Sequence, residues 1–336
     1  MPTLTLQWMD HGILLKYGDV RFGLDLALPH GTTLLSHAHS DHTVGLERAR
    51  HVIATEATVR TFKARGGRPD WHLSIAVHGD TILHDGATIT PLDSGHVIGS
   101  SMFLIQLDGG PSVLYTGDFN PVDSIVHKGA RPVSADVLIT EATYGSPEWV
   151  FPDRREVHTK IVQTARETIE SGLIPSFQTY SLGKAQETIA LLQSAGIGVV
   201  SGNRVIDAVA SVYNRYGAEL VFTSVHSREA KLMLDAGCSI VTSSPKHTAE
   251  ALRTIHGVRA ARSIEDRLEH FTLSGWALSG SAFGKRGIPL SAHADFPHLM
   301  EFAGSVAPRI AYAFTDNAPV LAQHLAEAGI DSVPLQ

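Results

Sequence analysis

Seven residues constrain this chain more than any other stretch: Ser36-His37-Ala38-His39-Ser40-Asp41-His42, directly after the apolar Thr33-Leu34-Leu35. On a loop leaving a strand, three imidazoles and a carboxylate this close together can converge on one point. A solvated surface loop has little reason to gather them. The pattern predicts a metal centre, and its nitrogen and oxygen donors suit a divalent ion, zinc by default and manganese as the alternative. The whole sequence leans the same way: 19 histidines against a single cysteine favour nitrogen and oxygen ligation over a thiolate site.

Two later segments add candidates. Asp93-Ser94-Gly95-His96 follows an alternating apolar stretch at 88–92, and Gly117-Asp118 follows Val113-Leu114-Tyr115-Thr116. Each sets a polar side chain where a strand ends and a glycine gives room. Alone, either reads as a turn; beside the first motif, both read as ligand positions.

The chain is written in two styles. Up to about residue 145 it reads as short strands, at 13–17, 20–24, 33–36, 52–55, 88–93, 102–107, 112–116 and 137–140, with one clear helix at 56–64. Gly18-Asp19 marks a tight hairpin between the first two. From 153 the pattern becomes regular strand–helix alternation: helices at 153–171, 183–194, 204–216, 227–236 and 248–255, and strands at 174–179, 198–201, 219–223 and 239–242. That alternation predicts a parallel α/β sheet. The tail returns to a strand at 287–290, then Ser291-Ala292-His293-Ala294-Asp295-Phe296, and a last helix at 320–328. Gly202-Asn203, between a strand and a helix, has the setting of a phosphate cradle, but one glycine at such a turn is ordinarily just a turn.

Composition bounds the rest. With 336 residues, 43% hydrophobic and 18% charged, the chain has the length for about two domains and the make-up of a protein with a sizeable core. No apolar run approaches the ~20 residues of a membrane span, and the start lacks a signal-peptide pattern. A lone Cys238 fits a reducing interior, so a cytoplasmic protein is expected, with Cys238 a small buried side chain. The net charge of −7 provides no global attraction for nucleic acid, so any such binding needs a local basic patch.

The motif order His37-x-His39-x-Asp41-His42, then His96, then Asp118, resembles the metallo-β-lactamase superfamily. The resemblance implies one metal held by His37, His39 and His96 and a second by Asp41 and His42, with Asp118 bridging. Asp25, in Phe22-Gly23-Leu24-Asp25-Leu26, matches an early aspartate that supports the ligand loop from behind. More of the chain is similar to one branch, the β-CASP nucleases, which include ribonuclease J-like and mRNA 3′-end processing members. The residues that carry this are Gly95-His-Val-Ile-Gly-Ser100, Thr116-Gly-Asp-Phe119, Thr140-Glu-Ala-Thr-Tyr-Gly145, Gly183-Lys-Ala-Gln-Glu187 and Ser291-Ala-His-Ala-Asp-Phe296, which span nearly the whole chain in the family's order.

This resemblance implies an α/β (α+β) fold: an αββα sandwich from residues 1–145 plus 286–336, with a parallel α/β β-CASP domain inserted at 146–285. It implies a metal-dependent phosphodiesterase that uses a metal-activated hydroxide, with a single strand lying in the cleft between the domains. His293 would protonate the leaving oxygen or steady the phosphate, with Glu141 orienting it, and Asp41 would be essential. Single-stranded RNA is the expected substrate ahead of DNA, cut internally or from the 5′ end; a small-substrate hydrolase and an inactive scaffold rank behind. No membrane partner is expected, and a homodimer is left open. Lys184 is the favoured phosphate contact among Lys184, Arg204, Lys246, Lys285 and Arg286. One departure stands out. RNA-processing members carry a further histidine after the strand near 311–314, where this chain has Thr315-Asp316-Asn317. Either Asp316 replaces it or the second metal site is weak, and the DNA-cutting branch also lacks this histidine.

Overall fold

The computed structural model describes residues 2–9, 11–280 and 284–335, with the Lys285 side chain also outside the description. The chain groups into two compact units, Met1–Asp123 with His127–Val150 and His293–Gln336, and Ser124–Val126 with Phe151–Ala292. Among the described residues, no helix is long and apolar enough to cross a membrane.

The first unit is built on two mixed sheets. One orders Leu4–Met9, Gly12–Tyr17, Val20–Leu24, Thr32–Leu34, His51–Thr55 and His72–Ala76 side by side, antiparallel at first and parallel from Val20–Leu24 onward. The other orders Ser332–Pro334, Ile310–Phe314, Val137–Glu141, Ser112–Tyr115, Ser101–Leu107, Ala87–Asp93 and Ile82–His84. Alternation along each strand sorts side chains between two apolar layers. Val113, Tyr115, Val137 and Ile139 join Leu15, Phe22, Leu34 and Phe103 in the core shared by the two sheets. Leu114 and Leu138 point the other way, against Leu299, Phe302, Leu321 and Leu325 of helices Phe296–Val306 and Ala318–Glu327. On the far face of the first sheet, Val52 and Ala54 meet Val59 of helix Glu56–Ala64. The result is helix, sheet, sheet, helix: the expected αββα sandwich.

Among the described residues, the second unit holds six parallel strands in the order Thr223–Ser224, Val199–Ser201, Ser239–Thr242, Ile174–Gln178, Leu268–Leu273 and Gly287–Ile288. Ile174, Val200, Ile240, Leu252 and Ile264 form its core. Two sequence expectations shift here. The strand expected at 219–223 shrinks to Thr223–Ser224, at the sheet edge, where only one neighbour rewards extension. The stretch at 287–290, expected to rejoin the first domain, instead pairs Gly287-Ile288 with Thr272-Leu273 in this sheet.

A buried ion pair ties two helices of this unit together. Arg154, at the start of helix Arg154–Glu170, reaches Glu187 of helix Lys184–Ser194 through Nε at 2.9 Å and Nη2 at 2.7 Å, and His158 Nε2 adds a contact at 2.8 Å. Burial alone would raise the Glu187 carboxyl, but Arg154 and His158 outweigh it and hold it at about 2. Because the folded value lies below the ordinary 4.5, the stabilisation is full above that value and is lost as pH falls toward 2. Glu187→Ala leaves a buried guanidinium uncompensated and is expected to destabilise the protein by about 3 kcal/mol at neutral pH. Urea melts at several pH values check this, the variant showing a shallower acid-side decline than the parent; an unchanged decline would contradict it.

Candidate metal centre

The candidate ligands of the first unit meet at the ends of strands from both sheets. Thr32–Leu34 delivers the loop with His37, His39, Asp41 and His42; Ala87–Asp93 delivers His96; Ser112–Tyr115 delivers Asp118; Val137–Glu141 ends on Glu141 itself. Two glycines make the approach possible. Gly117 sits at φ 52°, and a Cβ there would lie 2.6 Å from the Ser36 Cβ; Gly95 sits at φ 67°, where a Cβ would strike the Asn120 carbonyl oxygen at 2.4 Å. Any side chain at either position would push the ligand loops apart.

His39 Nδ1 lies 3.0 Å from both His37 Nε2 and His96 Nε2. Asp118 Oδ2 is 3.5 Å from His37 Nε2 and 3.6 Å from His96 Nε2. Four donor atoms thus surround one point, as a tetrahedral cation requires. The other Asp118 oxygen, Oδ1, lies 3.3 Å from His42 Nε2, and Asp41 Oδ2 lies 3.7 Å from the same nitrogen. Asp118 therefore presents one oxygen to each of two neighbouring donor groups. The donor chemistry of the first group fits a divalent cation, whereas Asp41 joins none of the ligand clusters found among the described residues. Asp41 is the most open member, its side chain 74% exposed.

Asp25 fixes the ring orientations from behind. Its carboxylate accepts from the Ser36 N–H at 2.6 Å, the Ser36 hydroxyl at 2.5 Å, His42 Nδ1 at 2.7 Å and the Tyr115 hydroxyl at 2.8 Å. Because Ser36 spends its proton on Asp25, it accepts from His37 Nδ1 at 2.9 Å. Both His37 and His42 are thereby held with Nδ1 as the donor on this side and Nε2 directed at the centre, as metal-binding imidazoles are elsewhere. Asp25 holds φ at 50°, a left-handed conformation that aspartate tolerates better than most residues.

The electrostatics call for positive charge. Burial lowers the His37 imidazole well below its usual range, and the His42 charge adds to the effect. Burial would also lower His42, yet the Asp118 and Asp25 carboxylates raise it well above that range. Burial would raise Asp118, but His42 and His293 hold it well below the carboxylate range.

At the rim, His293 Nδ1 lies 2.9 and 3.1 Å from the two Glu141 oxygens, and 3.9 Å from Asp118 Oδ2. Its ring packs 4.6 Å from that of His96, centroid to centroid. Glu141 is fully buried and also accepts from the Phe119 N–H at 2.7 Å and the Thr143 hydroxyl at 2.5 Å. Asp316 is exposed and joins none of the ligand clusters found among the described residues. Its neighbours take a different part: Thr315 accepts from the Ala142 N–H at 3.0 Å, and the Asn317 amide donates to the Thr143 carbonyl at 2.8 Å, tying this strand end to the Glu141 loop.

Sequence reasoning missed Ser36 and Tyr115 as support for Asp25. Ser36 adjoins the motif and was within reach; Tyr115 is 90 residues from Asp25 in the chain and had no local signal. Lys184 lies in the second unit, buried, with its ammonium 4.6 Å from the Tyr180 ring centroid. Arg286 Nη2 faces Glu269 at 3.5 Å, and the Lys285 side chain lies outside the described residues. Gly202-Asn203 is accounted for by packing: a Cβ on Gly202 would meet the Thr242 Cβ at 2.5 Å, and the Asn203 side chain caps helix Arg204–Arg215.

The profile of the Beta-lactamase superfamily domain matches residues 25–171. A probable DNA ligase of Opitutus terrae is 28% identical over 329 residues, covering 96% of this chain but 30% of that protein. An RNase J-like protein of Methanocaldococcus jannaschii is 27% identical over 188 residues, covering 48% of this chain and 43% of that protein. The chain thus spans well under two thirds of either relative's length. Among solved structures, a protein of unknown function from Enterococcus faecalis V583 superposes with a TM-score of 0.66 at 13% identity, covering 100% of this chain and 97% of that one, a likeness of fold.

Proposed function

We propose that the chain is a metallo-β-lactamase superfamily member of the β-CASP nuclease branch and that it hydrolyses phosphodiester bonds in single-stranded nucleic acid, DNA ahead of RNA. The observation that carries the reaction class is His293, tethered through Nδ1 to buried Glu141 and lying beside the Asp118 carboxylate. A small-substrate hydrolase does not explain an acid–histidine pair set at the rim of a ligand cluster.

Two divalent cations, zinc or manganese, would be held by His37, His39 and His96 and by Asp41 and His42, with Asp118 between them; when bound they lower the pKa of water and neutralise charge on phosphoryl oxygens. The chain's own residues do the rest. Asp25 and Ser36 fix the tautomers of His37 and His42. Glu141 holds His293 so that Nε2 is left to bond a phosphoryl oxygen or to hand a proton to the leaving oxygen. Glu141 also stabilises the imidazolium that such a transfer needs. His293→Ala is expected to slow turnover by about 10²–10⁴-fold while leaving bound metal, measured by elemental analysis, unchanged. Loss of metal from that variant would contradict the role.

The preference for DNA rests on two points. The relative that matches along nearly the whole chain is named a probable DNA ligase, whereas the RNase J-like match covers about half of it. The strand end at 315–317 also offers no histidine. RNA cleavage, expected from the wider branch, is the second reading, favoured by the RNase J-like likeness. Matched, labelled single strands of DNA and RNA, incubated with zinc or manganese, separate the two. Faster cutting of DNA supports the first reading, and faster cutting of RNA reverses it. With a net charge of −7, binding should be modest and salt-sensitive.

A further inference from the structure

In open parallel α/β sheets, ligands gather beyond the carboxyl ends of the strands. In the second unit, the loop 179–183 leaves the end of Ile174–Gln178, a central strand, and enters helix Lys184–Ser194. It is unusually well fixed. The Gly183 N–H, at φ 88°, donates to Gln186 Oε1 at 2.8 Å; Gln186 Nε2 donates to the Ser181 carbonyl at 3.0 Å; the Ala185 N–H donates to the Tyr180 carbonyl at 3.2 Å. Gln186 is fully buried, so these bonds are shielded from water.

On this fixed loop, Tyr180 is 58% exposed, while Lys184 beside it is only 5% exposed and sets its ammonium 4.6 Å from the ring centroid. A cation at that distance restrains the ring. A large aromatic surface thus faces water on a loop whose ordering cost has already been met. Such a ring can gain by being covered, and a planar partner covers it best.

We propose that Tyr180, held by Lys184, is a stacking platform for a nucleobase of single-stranded nucleic acid. This rests on the nuclease reading and extends it, assigning a base contact outside the metal centre. Because every base has a π-face, the contact is tolerant of sequence. It also gives the Gly183-Lys184-Ala185-Gln186-Glu187 run a physical content: Gln186 pins the loop, Lys184 holds the ring, and Glu187 anchors the helix to Arg154.

The test measures binding of a fluorescein-labelled oligothymidylate by anisotropy across a salt series. All proteins carry Asp118→Ala, so that the probe is not cut. Adding Tyr180→Ala should weaken binding about 5- to 100-fold, while Tyr180→Phe should stay within about twofold, because the ring and not the hydroxyl makes the contact. The salt slope should be the same in all three, since stacking releases no counterions. Unchanged affinity in Tyr180→Ala, or an equal loss in Tyr180→Phe, overturns the platform. Failure of the parent to bind either a DNA or an RNA strand at low salt overturns the nuclease reading beneath it instead.

Discussion

Asp118→Ala is expected to lower strand cleavage by at least about 10³-fold and to reduce metal at both positions of the centre. The reason is geometric. Asp118 has an oxygen beside each donor group, Oδ1 at 3.3 Å from His42 Nε2 and Oδ2 at 3.5 Å from His37 Nε2. Removing it takes a carboxylate oxygen from each donor group, and with it the negative charge that would draw cations there. A loss of several kcal/mol in transition-state stabilisation corresponds to a rate factor of this size, at about 1.4 kcal/mol per tenfold. The fold should survive, because strand Ser112–Tyr115 is secured by Val113, Leu114 and Tyr115 rather than by the loop. Elemental analysis and circular dichroism on the same sample check both halves. A variant that keeps full metal content would contradict the bridging position.

Asp25→Ala should cost more in stability than the same change at any of the candidate ligands. Four buried or nearly buried donors point at this carboxylate, from Ser36 twice, His42 and Tyr115. Each donor left without a partner costs about 1–3 kcal/mol. Since some will relax toward water, a total of about 4 kcal/mol is expected. Alanine also fits the φ of 50° poorly, whereas asparagine tolerates it. Asp25→Asn should therefore recover the backbone contribution but still weaken metal binding by about 10–100-fold, because His37 and His42 lose their enforced tautomers. Denaturant melts and metal-competition titrations separate the two effects. If Asp25→Asn bound metal as tightly as the parent, the orienting role would be refuted.

What the sequence made legible was whatever is written locally. The hairpin around Gly18, the ligand loop and the strand–helix rhythm after residue 153 depend on neighbours within a few positions, and the structure has them close to where pattern alone sets them. Several misses share a cause, although the interior strand Leu268–Leu273 and the helix Val258–Glu265, also missed, do not. The edge strands His72–Ala76, Ile82–His84 and Ser332–Pro334 are short, and much of each is exposed, so their pairing partners create them rather than their composition. Gly287-Ile288 joins the second unit's sheet because Thr272-Leu273 offers it an edge, which no local pattern announces. At the site, histidines and aspartates advertise themselves, but Tyr115 and Thr315 contribute through bonds to residues 90 and 173 positions away. Those contacts exist only in the folded chain.

The most direct test of the central claim is a metal titration of the chelator-stripped protein with a labelled single strand present. The stripped protein is expected not to cleave the strand. Activity should return as zinc or manganese is added and saturate near two ions per chain. Cleavage that persists at the full rate after stripping, or metal that binds fully while neither DNA nor RNA is cut, would contradict it.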